Sequence, residues 1–206
     1  METISEEEIY LNELTNSNDW DNLCENFKLS EEIMNKFSNK LNWSSICIYQ
    51  ELSDEFMEKY ADNLYWWYIS MYQKLSERFI EKYRNNIDWR AVSKYQKLSE
   101  QFIEKFANRV DWNCISKHQK LSEQFIEKFK DRVNWKEISV EQELSEEFIA
   151  KFENKVDWFF ISSFQNLSEP FIEQFTDRVN WGMIYKCQQL SEWFKVKHYK
   201  EYSRGY

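Results

Sequence analysis

Indole rings are the groups in this chain best suited to hold a ligand, since a regular ladder of them can stack sugars or nucleic-acid bases. Trp20, Trp43, Trp66, Trp89, Trp112, Trp135, Trp158 and Trp181 recur every 23 residues. Each stands at the start of a short helical pattern, between apolar residues spaced as hydrophobic staples. That setting predicts packed rings, so the ladder reads as core and not as a stacking platform. A second ladder, Gln50, Gln73, Gln96, Gln119, Gln142, Gln165 and Gln188, follows the same spacing. Its amides are placed to bond loop backbone between repeats, where a helix end leaves carbonyls open.

Cations form a third series: Lys36, Lys59, Lys82, Lys105, Lys128 and Lys151. Alone this stripe would suit phosphates. The opposite flank carries Glu77, Glu100, Glu123 and Glu146 with Glu81, Glu104, Glu127 and Glu173. Stacked helices of this kind would set acids against the bases of the next repeat. With a net charge of −9, the pattern predicts self-neutralisation and argues against a nucleic-acid partner.

Catalytic chemistry has few carriers. His118 fills a position held by Tyr49, Tyr72, Tyr95 or Phe164 elsewhere, and His198 lies near the C-terminal end. Cys24, Cys47, Cys114 and Cys187 form no C-x-x-C pair and no zinc spacing with either histidine. Buried intracellular thiols are the expected state. No Ser, His and acid grouping stands out. The chain is expected to be no enzyme, with no catalytic residue, no metal and no cofactor.

The elements that position these ladders follow from one repeat, Leu98 to Lys120. Ser99 is a helix N-cap, and Leu98 with Ile103 is its staple. Phe102, Ile103, Phe106 and Val110 form one helical stripe. Asp111 caps a second, shorter helix opened by Trp112. The spacing predicts a hairpin of about ten plus about eight residues. Tyr65 replaces the Asp or Asn cap in its repeat, which predicts a less well-defined helix start there. One hairpin buries too little apolar surface to offset the ordering of its backbone, so neighbours must complete its core. Gly (2) and Pro (1) are nearly absent, which excludes Gly-rich phosphate loops.

The expected fold class is all-α: an α-solenoid of tandem 23-residue helical hairpins forming one elongated domain over 1–206. Residues 1–28, with Ile4, Ser5 and Ile9, read as a degenerate N-terminal cap; 29–189 hold seven repeats; 190–206 read as a capping helix and tail. The start, Met1 to Glu8, is acidic and lacks the apolar stretch of a signal peptide. No apolar run approaches the roughly 18 residues of a membrane span, so no membrane association is expected.

Function is sought where the repeat varies. On the exposed turns of the second helices, Trp67, Tyr68, Met71, Phe159 and Phe160 stand where sister repeats carry Ser44, Ser45 and Ile48, Arg90, Ala91 and Lys94, or Lys136, Glu137 and Val140. Aromatic and Met side chains in such places are typical interface anchors. They form the candidate partner-binding set.

Units such as L-S-E-Q-F-I-E-K-F-A-N-R-V-D-W-N-C-I-S-K-H-Q-K, Leu98 to Lys120, resemble the tryptophan-repeat proteins encoded by insect poxviruses and other large DNA viruses. The resemblance covers Leu29 to Gln189 closely and fits an Asn-, Lys-, Ile-, Phe- and Tyr-rich composition that reads as AT-rich coding. It implies a viral protein acting inside an infected cell, in the host cytoplasm or the virion, and brings no functional residue to any position here. The expected function is a scaffold binding a host or viral protein. The alternative is a structural component that self-associates. It draws on the first 31 residues, with nine acids against one Lys, and on Lys186 to Arg204, with five bases against two acids.

Overall fold

A computed structural model of the chain describes residues 19–200. Ile4, Ser5 and Ile9 of the expected N-terminal cap, and residues 201–206 of the expected tail, lie outside the described residues. Sixteen α-helices and one 3-10 turn, Ala61–Asn63, make up the regular structure, with no strand among the described residues. The fold is an α-solenoid of helical hairpins that repeat every 23 residues. Contacts gather it into two units, 1–98 and 99–206, divided at a repeat junction.

In the first unit, Trp-led helices Trp20–Asn26, Trp43–Tyr49, Trp66–Tyr72 and Trp89–Tyr95 alternate with Ser-capped helices Glu31–Lys36, Asp54–Lys59 and Glu77–Lys82. The second unit continues the alternation. Its Trp-led helices are Trp112–His118, Trp135–Glu141, Trp158–Phe164 and Trp181–Cys187. Within each unit, every Trp-led helix packs on the next Trp-led helix. The caps act as expected: Ser99 Oγ accepts from Phe102 N at 3.2 Å, and Asp111 Oδ1 from Cys114 N at 2.9 Å. Pro170 sits in the first turn of Glu169–Gln174, where its missing N–H costs little.

The first helices are shorter than expected, at six residues. Each ends on an aromatic residue outside the helical region; Phe106 has φ −109° and ψ 26°. The Phe106 carbonyl then accepts from both Arg109 N and Val110 N, closing a tight turn. This turn sets the terminal ring against the preceding repeat's indole, as Phe129 lies 4.9 Å from Trp112. Ring packing ends the helix one turn before the apolar stripe does.

The indoles also differ from expectation. The buried centre is mostly aliphatic, with Ile46, Ile69, Met57 and Ile80 fully enclosed beside Phe79 in the first unit and Ile115, Ile126, Ile138 and Ile149 with Phe194 in the second. Trp20 is buried, but Trp43 and the later ladder tryptophans are half-buried. Each lies over the seam to the next repeat, as Trp135 does with Phe148 at 6.2 Å and Phe152 at 5.0 Å. From Trp89 onward the polar edge accompanies this placement: Trp135 Nε1 donates to the Lys130 carbonyl at 2.8 Å, and Trp158 Nε1 to that of Glu153 at 2.9 Å. A ring that must reach a carbonyl near the surface cannot also fill the centre.

Within each unit the glutamine ladder joins consecutive repeats, each side chain bonding two carbonyls of the preceding repeat and the first N–H of its own. Gln73 Nε2 donates to the carbonyls of Cys47 at 2.9 Å and Gln50 at 2.7 Å, and its Oε1 accepts from Leu52 N at 3.0 Å. Gln142 repeats this with Ser116, Gln119 and Leu121. A buried serine column works beside it. Ser116 Oγ donates to the Trp112 carbonyl at 2.7 Å and accepts from Asn134 N at 2.9 Å. Cys47 occupies that slot in its repeat, taking the Tyr65 N–H, and burial pushes its thiol up to about 11. Burial likewise raises Cys24, one repeat earlier in the same slot.

Opposite charges do meet between repeats. Lys82 pairs with Glu58 at 2.7 Å, Lys128 with Glu104 at 2.5 Å and Lys151 with Glu127 at 2.6 Å. Glu100, Glu123 and Glu146 serve differently, accepting from the backbone N of the next repeat's N-cap, Ser122, Ser145 or Ser168. These carboxylates sit nearer the next cap than the next lysine.

Gln142→Ala should cost about 2–4 kcal/mol, because two carbonyls and one N–H lose their buried partner. Lys128→Ala should cost roughly 0–1 kcal/mol, as an exposed pair does. Urea unfolding of both variants checks the order; equal shifts would contradict it. Thiol labelling at neutral pH should modify Cys187 alone, the one exposed cysteine. At pH 8 the buried Cys47, titrating near 11, has only about one thiolate in a thousand. All four thiols should react once the chain is unfolded.

Candidate functional site: exposed aromatic surfaces

Helix Trp66–Tyr72 carries W-W-Y-I-S-M-Y, of which Ile69 and Ser70 face the buried interior. Trp67 and Met71, one turn apart, fall on another face. Trp67 is 52% exposed, while Tyr68 and Met71 are half-buried. Trp67 and Tyr68 meet edge to face at 5.2 Å. Tyr68 also lies 6.0 Å from Tyr65 and 6.2 Å from Tyr72. On the two helices packed against it, the sister positions of Tyr68 are Ser45 and Ala91, both buried. A tyrosine exceeds that slot, so its ring extends to the three aromatic neighbours.

Tyr65 belongs to the same cluster. Among the described Trp-led helices, the one it precedes lacks a side-chain cap bond. The helix nonetheless begins in register, with Ile69 N donating to the Tyr65 carbonyl at 3.0 Å. The expected indistinct start is therefore confined to the missing cap. Replacing a capping Asp or Asn costs on the order of 1 kcal/mol, and here the replacement is an exposed ring.

Phe159 and Phe160 lie in the second unit, and the two groups of predicted residues form separate clusters. Phe159 is exposed and Phe160 half-buried. Their rings meet at 5.3 Å and 87°, Phe164 lies 6.2 Å from Phe160, and Lys136 Nζ stands 5.3 Å over Phe160. Beyond the helix ends, Phe164, Glu123, Glu141 and Glu143 line an open depression of about 480 Å³.

Sequence reasoning missed a column in the first unit. Tyr49, Tyr72 and Tyr95 end successive Trp-led helices and are 48%, 51% and 46% exposed. Their 23-residue spacing was visible, but only as the slot that His118 shares. His198 was also unassigned. It takes the slot of Phe129, Phe152 and Phe175, stacking on Trp181 at 4.9 Å and 19° and approaching Glu173 Oε1 at 3.3 Å. The Lys197 ammonium first, and His198 second, hold the Glu173 carboxyl below its ordinary range.

Among the described residues, no three His, Cys, Asp or Glu side chains converge to hold a metal ion, and no helix is long and apolar enough to cross a membrane. No family model, curated protein or solved structure matches the chain.

Removing an exposed ring should cost little. Trp67→Ser should change stability by less than about 0.5 kcal/mol, whereas Tyr68→Ser should cost about 1–2 kcal/mol through lost ring contacts. Thermal unfolding of the two variants separates them; a collapse of Trp67→Ser would place that indole in the core.

Proposed function

We propose that this chain is a non-enzymatic repeat scaffold that binds a protein partner through the variable outer surface of its Trp-led helices. Trp67, Tyr68 and Met71 form the principal anchor set, with Phe159 and Phe160 as a second. The observation that carries this reading is the repeat around Tyr65. There the chain gives up a helix cap and gathers four aromatic rings at the surface, and departures from local rules of this kind concentrate at functional sites. Aromatic clusters of that size anchor protein interfaces.

The similarity to viral tryptophan-repeat proteins supports a viral protein acting inside an infected cell on a host or viral partner. The net charge of −9 and the paired lysine ladder weigh against nucleic acid. Self-association into a structural assembly is the second reading, favoured by the opposed charges of the chain's two end segments.

Parallel affinity captures with the full chain and its Trp67→Ser variant test the scaffold. The variant should lose the captured protein while unfolding at the same temperature. Undiminished capture would remove the first-unit surface from consideration. Salt-sensitive growth in sedimentation with rising concentration would favour self-association.

A further inference from the structure

Helices Trp43–Tyr49, Trp66–Tyr72 and Trp89–Tyr95 contain no Asp or Glu, in a chain that carries 36 such residues. The last of them bears two cations on its outer surface. Arg90 and Lys94 are exposed, and Lys94 Nζ stands 4.7 Å over the Tyr95 ring. Along the same helices runs the exposed column Tyr49, Tyr72 and Tyr95. The three helices pack consecutively, so the rings repeat at the interaxial distance of packed helices, roughly 8–10 Å. A polyproline II strand turns once every three residues, or about 9 Å, and makes no internal hydrogen bonds. Its prolines can pack on successive tyrosine rings while its carbonyls accept from the tyrosine hydroxyls. Aromatic-lined grooves recognise proline-rich segments by this match.

We infer that the outer surface of these three helices receives an extended, acidic, proline-rich protein segment. Its prolines seat on Tyr49, Tyr72 and Tyr95, and its carboxylates lie toward Arg90 and Lys94. Trp67 covers the segment's middle. The inference rests on the scaffold reading above and names its partner class. Charge complementarity selects the occupant: the three helices themselves contribute two exposed cations and no acid, and the exposed Glu51 beyond Tyr49 is paired with Lys28, but the whole chain is anionic. A few carboxylates on a short segment are attracted locally, whereas a nucleic-acid strand meets the repulsion of the whole chain. The equivalent positions in the second unit are His118, Glu141 and Phe164, which break the column and introduce an acid. The site is therefore confined to the first unit.

Fluorescence anisotropy with the full-length chain tests this. The probe is a labelled peptide of about twelve residues repeating Pro-Pro-Glu, roughly four polyproline II turns. It should bind at least about tenfold more tightly than a Gly-Gly-Glu peptide of equal charge, a difference of about 1.4 kcal/mol. Tyr72→Ala and the double change Arg90→Glu with Lys94→Glu should each weaken binding about fivefold or more. Unchanged circular dichroism would show that both variants are folded. No saturable binding, equal binding of the Gly-Gly-Glu peptide, or stronger binding of an oligothymidine of matching length would overturn the inference. Trp67→Ser separates the two levels. If that variant loses its captured protein although the Pro-Pro-Glu peptide does not bind, the surface stands and the partner class falls. If capture is unaffected, the scaffold reading itself fails at this surface.

Discussion

Consecutive repeats are held in register by an amide that cannot be satisfied within its own repeat. Each buried glutamine of the ladder ends a Trp-led helix and spends its amide N–H groups on two carbonyls of the preceding repeat, while its oxygen accepts from the first N–H of its own repeat. Those carbonyls lie at the C-terminal end of the preceding helix, where no intrahelical partner exists. A hairpin without its successor leaves these groups to water; a hairpin without its predecessor leaves the glutamine unmet. The array is thus completed by neighbours in its polar interior as much as in its apolar one.

Around that constraint the repeat divides its labour by depth. Isoleucine fills the enclosed centre, and buried serines bridge each Trp-led helix to the N-terminus of the next. Tryptophan lies over the seam, with its ring on the next repeat's aromatics and its N–H on a local carbonyl. Cys47 in the serine slot accepts the same backbone N–H as a serine would, so the slot asks for a small acceptor and not for an oxygen. Outermost, Lys–Glu pairs add little stability, but they neutralise the flanks and make a lateral phosphate groove poorly available.

This division frees one surface for change. Outward positions of the Trp-led helices make only peripheral inter-repeat contacts, such as Asn113 with Asn134 and Lys117 with Glu137, so they can vary without disturbing the buried bonds of the stack. Repeat arrays commonly concentrate recognition on such surfaces. In the first unit, rings accumulate at Tyr65, Trp67, Tyr68 and Tyr72 within one helix and its cap, while the helices on either side keep smaller or charged residues at the first three of these positions and share only the terminal tyrosine. The lost cap at Tyr65 is the local cost of that accumulation.

The 23-residue period, the Ser and Asp or Asn caps, and the glutamine ladder were all legible by themselves. Each reflects a bond or a periodicity confined to a few residues, or a polar group whose need for a partner is known in advance. Helical hairpins and their order along the chain were thereby determined without coordinates. Tertiary packing decided what equal spacing cannot express. Trp, Ile, Gln and Tyr all recur at one interval, so the interval does not distinguish a column at the centre from one at a seam or in water. The indoles lie over the seams, where in the later repeats their N–H groups meet carbonyls near the surface, and the first helices stop early so that their last rings reach those indoles. Tyr49, Tyr72 and Tyr95 stayed exposed because the neighbouring helices bury only the inner turns of each hairpin. Burial belongs to the stack of repeats, and one repeat's sequence carries no record of which side its neighbours will cover.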